Sequence, residues 1–302
     1  MRQILQPQGR YHFAFDSRND PVAAVESGET VSILTQDAFG DRLISEEMRP
    51  ADLSGYVNPV TGPIFVQKAE PGDCLKIEII DIAPTRDWAV SALVKHFGGL
   101  VGTASMPLLH PPLDERVWIY HRQPDGSYKH SNKLHVPWKP FIGTIATSDA
   151  LESLASLSPG RMGGNMDVRD ICPGNTLYLP VLTRGAYLYV GDCHAAQGDG
   201  ELCGVALEIA ARVILRIELV KGKTIVWPRI ENGTQIMTVG SAKPMEDAAR
   251  IAYAQLIEWM VSDYGWDAVD AYQMLSQCGK MTVGNRVDTL YSMVAKIDKK
   301  FL

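Results

Sequence analysis

Residues 186–209 read AYLYVGDCHAAQGDGELCGVALEI, two strand-like apolar runs joined by a glycine-rich polar stretch. The first run is rich in aromatic and β-branched residues, and AAQG has the right length for a hairpin loop. With that loop, His194 lies opposite Asp199 and Asp192 lies opposite Glu201. Because side chains alternate along a strand, all four polar groups are predicted to share one face of the hairpin.

This face combines three carboxylates with one imidazole. Such groups repel one another, or raise one another's proton affinity, unless a cation lies among them. A divalent metal is therefore predicted: Zn²⁺ is favoured, and Ca²⁺ or Mg²⁺ stays open because carboxylates with amide oxygens also suit them. Upstream, GGNMD (163–167) places Asn165 and Asp167 two positions apart. The alternative interpretation is that both motifs are solvated turns.

The first 240 residues read mainly as short strands separated by glycine and proline. After Ser241 the hydrophobic period changes from two to 3.6, which predicts helices. Most strands precede the helices, so the fold class is α+β, mainly β. We expect residues 1–302 to form one compact unit, with 1–240 mainly β and 241–302 holding two helices and short strands. Predicted strands cover residues 29–35, 64–66, 75–82, 117–120, 176–182, 186–190 and 212–220.

Two helices are predicted in the C-terminal part. The first has Pro244 in its opening turn and ends before Gly265. Its predicted core positions are Ala248, Ile251, Ala252, Leu256, Trp259 and Met260. The second covers about residues 267–278, stops at Gly279 and is predicted to bury Val269, Tyr272, Leu275 and Cys278.

Composition excludes several classes of partner. A formal net charge of −6, with no cluster of basic residues, argues against nucleic acid. No apolar run approaches the ~20 residues that span a bilayer, and no signal peptide is recognised. The protein is therefore expected to be cytoplasmic, with no nucleic-acid or membrane partner. GGLVG (98–102) is interpreted as a surface loop, and surface or hydrogen-bonded positions are expected for His96, His110, His121, His130 and His135, with His12 left undecided.

Several motifs together resemble the acetamidase/formamidase family of short-chain amide hydrolases. GDCHAAQGDGELCGVALEIA (191–210) is the most specific of them. The others occur along most of the chain: TQDAFGD (35–41), NPVTGPIFV (58–66), AEPGD (69–73), PFIGTIAT (140–147), GGNMD (163–167), LYLPV (177–181) and MTVGNRVD (281–288).

The resemblance implies a jelly-roll-like β-sandwich with barrel-like strands and a smaller α/β part. It also implies hydrolysis of a small linear amide such as formamide or acetamide, a divalent metal and a homo-oligomeric assembly. Met162 stands where many relatives have His, and Cys193 stands where Leu is common, so the sequence departs from the family pattern at these two positions. The family pattern carries over to Asp37, Asn165, Asp167, Asp192, His194, Gln197, Asp199, Glu201 and Glu208.

These residues support a hypothesis of metal-assisted amide hydrolysis. Glu201 is the candidate proton carrier, and Asn165 or Gln197 is the candidate donor to the developing oxyanion. His194 and Asp192 are candidate catalytic residues as well as ligands; the full predicted metal set is Asp37, Asp167, Asp192, His194 and Asp199.

Three alternatives stay open at this stage. Cys193 with His194 as base would be a nucleophilic site, although neighbours on a strand face opposite ways. A non-catalytic metal- or ligand-binding relative would keep the fold without the chemistry. A metal-dependent hydrolase of a larger amide, formyl amine or amidine-like compound is the third.

Overall fold

The computed structural model describes residues 1–7, 9–100 and 113–302. Residues 101 and 102 of the GGLVG segment, and His110, lie outside these ranges. The strands of the described ranges are β1 (Arg2–Ile4), β2 (Ala14–Phe15), β3 (Ala23–Val25), β4 (Glu29–Thr35), β5 (Val60–Val66), β6 (Cys74–Pro84), β7 (Trp88–Leu93), β8 (Arg116–Arg122), β9 (Tyr128–Lys129), β10 (His135–Val136), β11 (Phe141–Ala146), β12 (Leu154–Ala155), β13 (Gly163–Asn165), β14 (Thr176–Pro180), β15 (Leu188–Ala196), β16 (Leu207–Ile209), β17 (Ala211–Val220), β18 (Arg229–Glu231), β19 (Gln235–Ala242), β20 (Lys280–Asn285) and β21 (Tyr291–Asp298).

Two helices follow β19, as the change of hydrophobic period predicts. Helix α1 (Met245–Tyr264) begins after Pro244 and ends at Gly265, whose φ of 71° is left-handed and suits glycine. Helix α2 (Ala268–Cys278) is capped by Asp267, whose side chain accepts hydrogen bonds from the first-turn amides. The part of the chain that the structure describes contains no helix long and apolar enough to cross a membrane.

The predicted inner face of α2 is partly wrong. Val269 and Tyr272 are 73% and 67% exposed, whereas Ala271 and Leu275 are buried. One short helix packed on α1 and β21 covers a narrow stripe, so only part of its apolar surface reaches the core. Ile251 of α1 is only partly buried, while the other predicted positions of that helix are buried.

Most strands fall into two sheets. The nine-stranded sheet has the order β1-β4-β17-β6-β14-β18-β19-β21-β20, and α1 packs on β19 and β21. The second sheet has the order β10-β9-β8-β7-β16-β15-β11-β13, with β5 and β3 branching from β15. One edge of β15 pairs with β11, and the other pairs first with β5 and then with β16. The exchange of partners falls at Asp192, whose φ is 51°.

The two sheets pack face to face over a shared apolar core. Ile33, Ile77 and Leu215 of the nine-stranded sheet join Ile142 and Val190 of the other sheet in one buried cluster. The mainly β, α+β sandwich is therefore confirmed. Barrel-like closure is not observed: within the described ranges both sheets stay open, so that part of the expectation is wrong.

Candidate active site

Strand β15 carries Asp192, Cys193 and His194 in succession. His194 Nε2 lies 3.2 Å from Asp192 Oδ1, so these two side chains share a face as predicted. Cys193 points the other way, is fully buried in the core between the sheets, and places Sγ 3.7 Å from Thr35 Oγ1. Burial raises the pKa of the Cys193 thiol to about 12, which argues against a thiolate nucleophile.

The predicted hairpin register is wrong. His194 pairs with Glu208 of β16, and residues 197–206 form a loop between the two strands. Leu207 and Ile209 are buried apolar residues that suit a core strand, whereas the glycines of the loop favour turns. Glu201 still reaches the site, because the loop folds back and Gly200 N–H donates to Val283 O at 3.1 Å.

Buried acids surround the imidazole of His194. Nε2 lies 3.3 Å from Glu208 Oε2 in addition to its contact with Asp192. Two sets of side chains each bring three potential ligand atoms within 4.8 Å of one another. Asp192, His194 and Glu208 form one set, and Asp167, His194 and Glu201 form the other. Both sets are buried, and both include His194.

Gln197 fixes the tautomer of this histidine. Its Nε2 donates to the carbonyl oxygens of Asp167 at 3.1 Å and Gly284 at 3.0 Å, which uses both of its hydrogens. Its Oε1 therefore faces His194 Nδ1, at 2.9 Å, as the acceptor, and Nδ1 carries the proton. Gln197 thus positions the histidine, and it has no N–H left for the predicted oxyanion role.

Three atoms at the centre of the cluster have no hydrogen-bond partner: Asp167 Oδ1, His194 Nε2 and Glu208 Oε2. Buried polar atoms are rarely left in this state, because each costs free energy without a partner. Each of the two sets around His194 offers one nitrogen and two carboxylate oxygens, a donor set that suits Zn²⁺ and suits the oxygen-preferring Ca²⁺ and Mg²⁺ less well. The residues therefore fit a divalent cation.

Burial dominates the pKa values of these groups. It raises the pKa of the Glu208 carboxyl to about 7, against the opposing charge of His194. Burial, together with the charge of Asp167, raises the pKa of Glu201 well above its ordinary value. Burial opposes the charged form of His194, but the carboxylates of Glu208 and Asp192 outweigh it and raise its pKa well above the ordinary value. These groups therefore favour binding either protons or a cation.

A cavity of about 60 Å³ borders the cluster. Phe39 and Phe97 contribute apolar surface to it. Its polar wall consists of Asn58, Asn165, Asp192, Glu201, Glu208 and Asp288.

Four residues that sequence reasoning did not select complete the site. They are Gly143 and Thr144 of β11, Asn285 at the end of β20, and Asp288. Each falls within a motif quoted for the family resemblance, PFIGTIAT or MTVGNRVD. Their position in family motifs was the only sequence feature that pointed to them, because both motifs lie far from GDCHAAQGDGE along the chain.

A hydrogen-bond network joins these residues to the cluster. Asn285 Nδ2 donates to Asp167 Oδ2 at 2.7 Å and also to Asp288 Oδ2. Asn165 Nδ2 donates to Asp288 Oδ2 at 2.6 Å, and Asn165 Oδ1 accepts from Thr144 Oγ1. Since Oδ1 of Asn165 is an acceptor, the orientation of its amide is fixed, and one hydrogen of Nδ2 is left for a ligand.

The structure does not place the other two predicted metal ligands in the cluster. Asp37 is buried, but it is ion-paired with Arg86 and accepts from the backbone N–H groups of Phe39 and Asp41. Asp199 lies in the loop with a side chain 51% exposed and is ion-paired with Arg169. Both carboxylates have cationic partners, and neither belongs to the two sets of ligand-type atoms around His194.

Met162 takes a packing position. It is 2% exposed and lies in a buried cluster with Phe15 and Tyr189. The thioether there packs against apolar side chains.

The chain is similar to known proteins over most of its length. The sequence model of the Acetamidase/Formamidase family matches residues 2–157 and 90–294. This chain belongs to the acetamidase/formamidase family. An acetamidase from Yersinia enterocolitica, known from its crystal structure, is 40% identical in sequence to this family member. The two structures superpose with a TM-score of 0.95 over 99% of this chain and 92% of that one.

Two curated relatives of this family member are longer proteins. The acetamidase of Mycolicibacterium smegmatis is 25% identical over 246 residues, which cover 62% of this chain and 59% of that protein. The formamidase of Methylophilus methylotrophus is 24% identical over 278 residues, which cover 72% of this chain and 65% of that protein. The chain therefore spans less than two thirds of the length of either relative.

Proposed function

We propose that this acetamidase/formamidase family member hydrolyses a small linear amide, of the formamide or acetamide class, to a carboxylate and ammonia. The observation that carries the proposal is the cavity of about 60 Å³ beside His194 and its acids. A water needs roughly 10–15 Å³ of such volume, so the cavity has room for about four to six heavy atoms. Formamide and acetamide fall at or below the lower end of that range.

We further propose that the activity depends on a divalent metal, with Zn²⁺ favoured. Asp192, His194 and Glu208 would hold it, with Asp167 within reach of the same nitrogen. Because Nδ1 of His194 is hydrogen-bonded to Gln197, Nε2 is the ring nitrogen free to bind a cation. One nitrogen binds one cation, so the two sets cannot both hold a cation through His194. When bound, the metal would polarise the amide carbonyl and promote ionisation of water.

The residues of the chain supply orientation and proton transfer. Asn165 lines the cavity, and the remaining N–H of its Nδ2 would donate to the substrate's carbonyl oxygen, where negative charge develops. A carboxylate oxygen of Glu201 takes a proton from the attacking water and delivers it to the leaving nitrogen, which departs as ammonia. The apolar side of the cavity, including Phe39 and Phe97, limits the entry of bulk water.

A larger amide is the second candidate substrate. A second cavity, of about 870 Å³, adjoins the first, and Phe97, Glu201 and Val205 line both. Apolar side chains such as Leu93 and Val136 dominate its wall, so a longer acyl group would find a suitable surface there.

The first test is ammonia release across formamide, acetamide, propionamide, hexanamide and benzamide, measured as kcat/KM. We expect formamide or acetamide to be the best substrate, with at least a tenfold fall by hexanamide, because the small cavity excludes longer chains. A preference for hexanamide or benzamide would favour the second candidate. No ammonia from any of the five would contradict amide hydrolysis.

A further inference from the structure

We propose that Asp288 is a specificity-determining residue whose Oδ1 accepts a hydrogen bond from the substrate's amide N–H, so that the site selects amides over esters. The inference rests on the proposed amide hydrolysis and names the group that recognises the nitrogen.

Two asparagines hold Asp288 in one orientation. Both Asn165 Nδ2 and Asn285 Nδ2 donate to the same oxygen, Oδ2. The backbone N–H of Asp288 donates to Asn285 Oδ1 at 3.1 Å, which fixes the main chain as well. With these three contacts the carboxylate cannot exchange its oxygens without breaking two hydrogen bonds.

The other oxygen is available to a ligand. Asp288 is 7% exposed and lines the cavity of about 60 Å³. Its recorded hydrogen bonds within the described ranges all use Oδ2 or the backbone. Unlike Asp192 and Glu208, which also line the cavity, Asp288 belongs to neither set of atoms around His194.

Donor and acceptor at this wall match a primary amide. Asn165 Nδ2, with one free hydrogen, lies 2.6 Å from the Asp288 carboxylate. An amide presents a carbonyl acceptor and an N–H donor side by side, and can pair with both groups. An ester of the same size has no N–H, and its lone pairs would face the negative charge of Asp288. A site that hydrogen-bonds an N–H discriminates strongly against an analogue that lacks it.

Replacing Asp288 by Asn reverses this recognition at nearly constant shape. The two donors from Asn165 and Asn285 force the carbonyl oxygen of the new amide into the Oδ2 position. Its NH₂ group then faces the cavity, so a donor stands where the acceptor was. Formamide would lose its partner, whereas methyl formate would gain one for its ester oxygen.

The experiment compares kcat/KM for formamide and methyl formate in wild type, Asp288→Asn and Asp288→Ala. Asp81→Asn is the matched control, since Asp81 is 46% exposed and paired with Arg212. We expect the formamide to methyl formate ratio to fall about 10- to 100-fold in Asp288→Asn, the size of a lost hydrogen bond to a charged group. Asp288→Ala should lower it about tenfold, and Asp81→Asn should leave it unchanged.

The outcomes separate the two proposals. An unchanged ratio in an active and folded Asp288→Asn protein, whether or not both activities fall together, would overturn the role of Asp288 and leave the proposed function standing. If Asp288→Asn does not fold, the ratio in Asp288→Ala decides in the same way. A wild-type protein that releases no ammonia from formamide, acetamide or the three longer amides would overturn the proposed function, and this inference with it.

Discussion

Replacing Glu201 by Gln is expected to lower kcat for formamide by about 10²- to 10⁴-fold, the usual contribution of a positioned proton carrier. Gln has nearly the shape of Glu but cannot accept a proton from water or return one to nitrogen. Glu201 is buried and lines the cavity, and burial raises its pKa, as suits a group that must be protonated in turn. Bound metal should remain, since Asp192, His194 and Glu208 form a set without it.

The measurement is ammonia release alongside the molar ratio of metal to protein. Cys193→Ala is the control, because its thiol lies on the opposite face of β15, in the core, and its removal should leave kcat within about threefold of wild type. Near-normal turnover in Glu201→Gln would remove Glu201 from the proton role. Loss of metal together with activity would instead assign it as a ligand.

Replacing Gly143 by Ala is expected to lower kcat/KM at least about 100-fold. A Cβ at this position of β11 would lie 2.6 Å from both Asp167 Oδ1 and Asp192 Oδ2, and 2.8 Å from the Asp192 carbonyl oxygen. Each of these acids belongs to one of the two sets around His194, so both sets would be displaced. Shifts of about 1 Å at reacting groups are enough for losses of this size.

The measurement is kcat/KM for formamide together with zinc affinity by competition with a chromophoric chelator. Both should weaken in Gly143→Ala. Gly233→Ala is the matched control: no atom lies within 4 Å of its added Cβ, and its φ is not left-handed. Wild-type zinc affinity and turnover in a folded Gly143→Ala protein would contradict the placement of these carboxylates.

Local patterns were sufficient to predict both helices, several of the strands and half of the central motif. The change of period after Ser241 located both helices, since capping and amphipathicity are properties of adjacent residues. The alternation of side chains along a strand is also a local property, and it correctly placed Cys193 on the face opposite Asp192 and His194. Alternation does not show how much of a surface a neighbour covers, so Val269 and Tyr272 of α2 were assigned to the core and lie exposed.

The remainder depends on pairing between distant segments. Strand β16 pairs with β15 at His194 because this register buries Leu207 and Ile209. The local sequence of the polar loop before them is compatible with a short hairpin as well, so it does not determine the register. The same hairpin placed Asp199 opposite His194, whereas the structure places Asp199 in the loop, ion-paired with Arg169.

Other features of the site arise from ion pairs and hydrogen bonds that no sequence spacing encodes. Asp37 is neutralised by Arg86, 49 positions away along the chain. Gln197 was assigned to the oxyanion because an amide can donate, but two backbone carbonyls use both of its hydrogens. Asp288 lies 123 positions from Asn165, its hydrogen-bond partner, and only the fold joins them.

A divalent metal at His194 that acts in amide hydrolysis is the central proposal. The direct measurement is ammonia release from formamide and acetamide by the purified protein, before and after chelation and again with Zn²⁺ restored, alongside elemental analysis. We expect release that is lost on chelation, returns with Zn²⁺, and accompanies about one bound ion per chain, because the two acid sets share one nitrogen. Release that is indifferent to chelation, from protein that elemental analysis finds free of metal, would contradict the account.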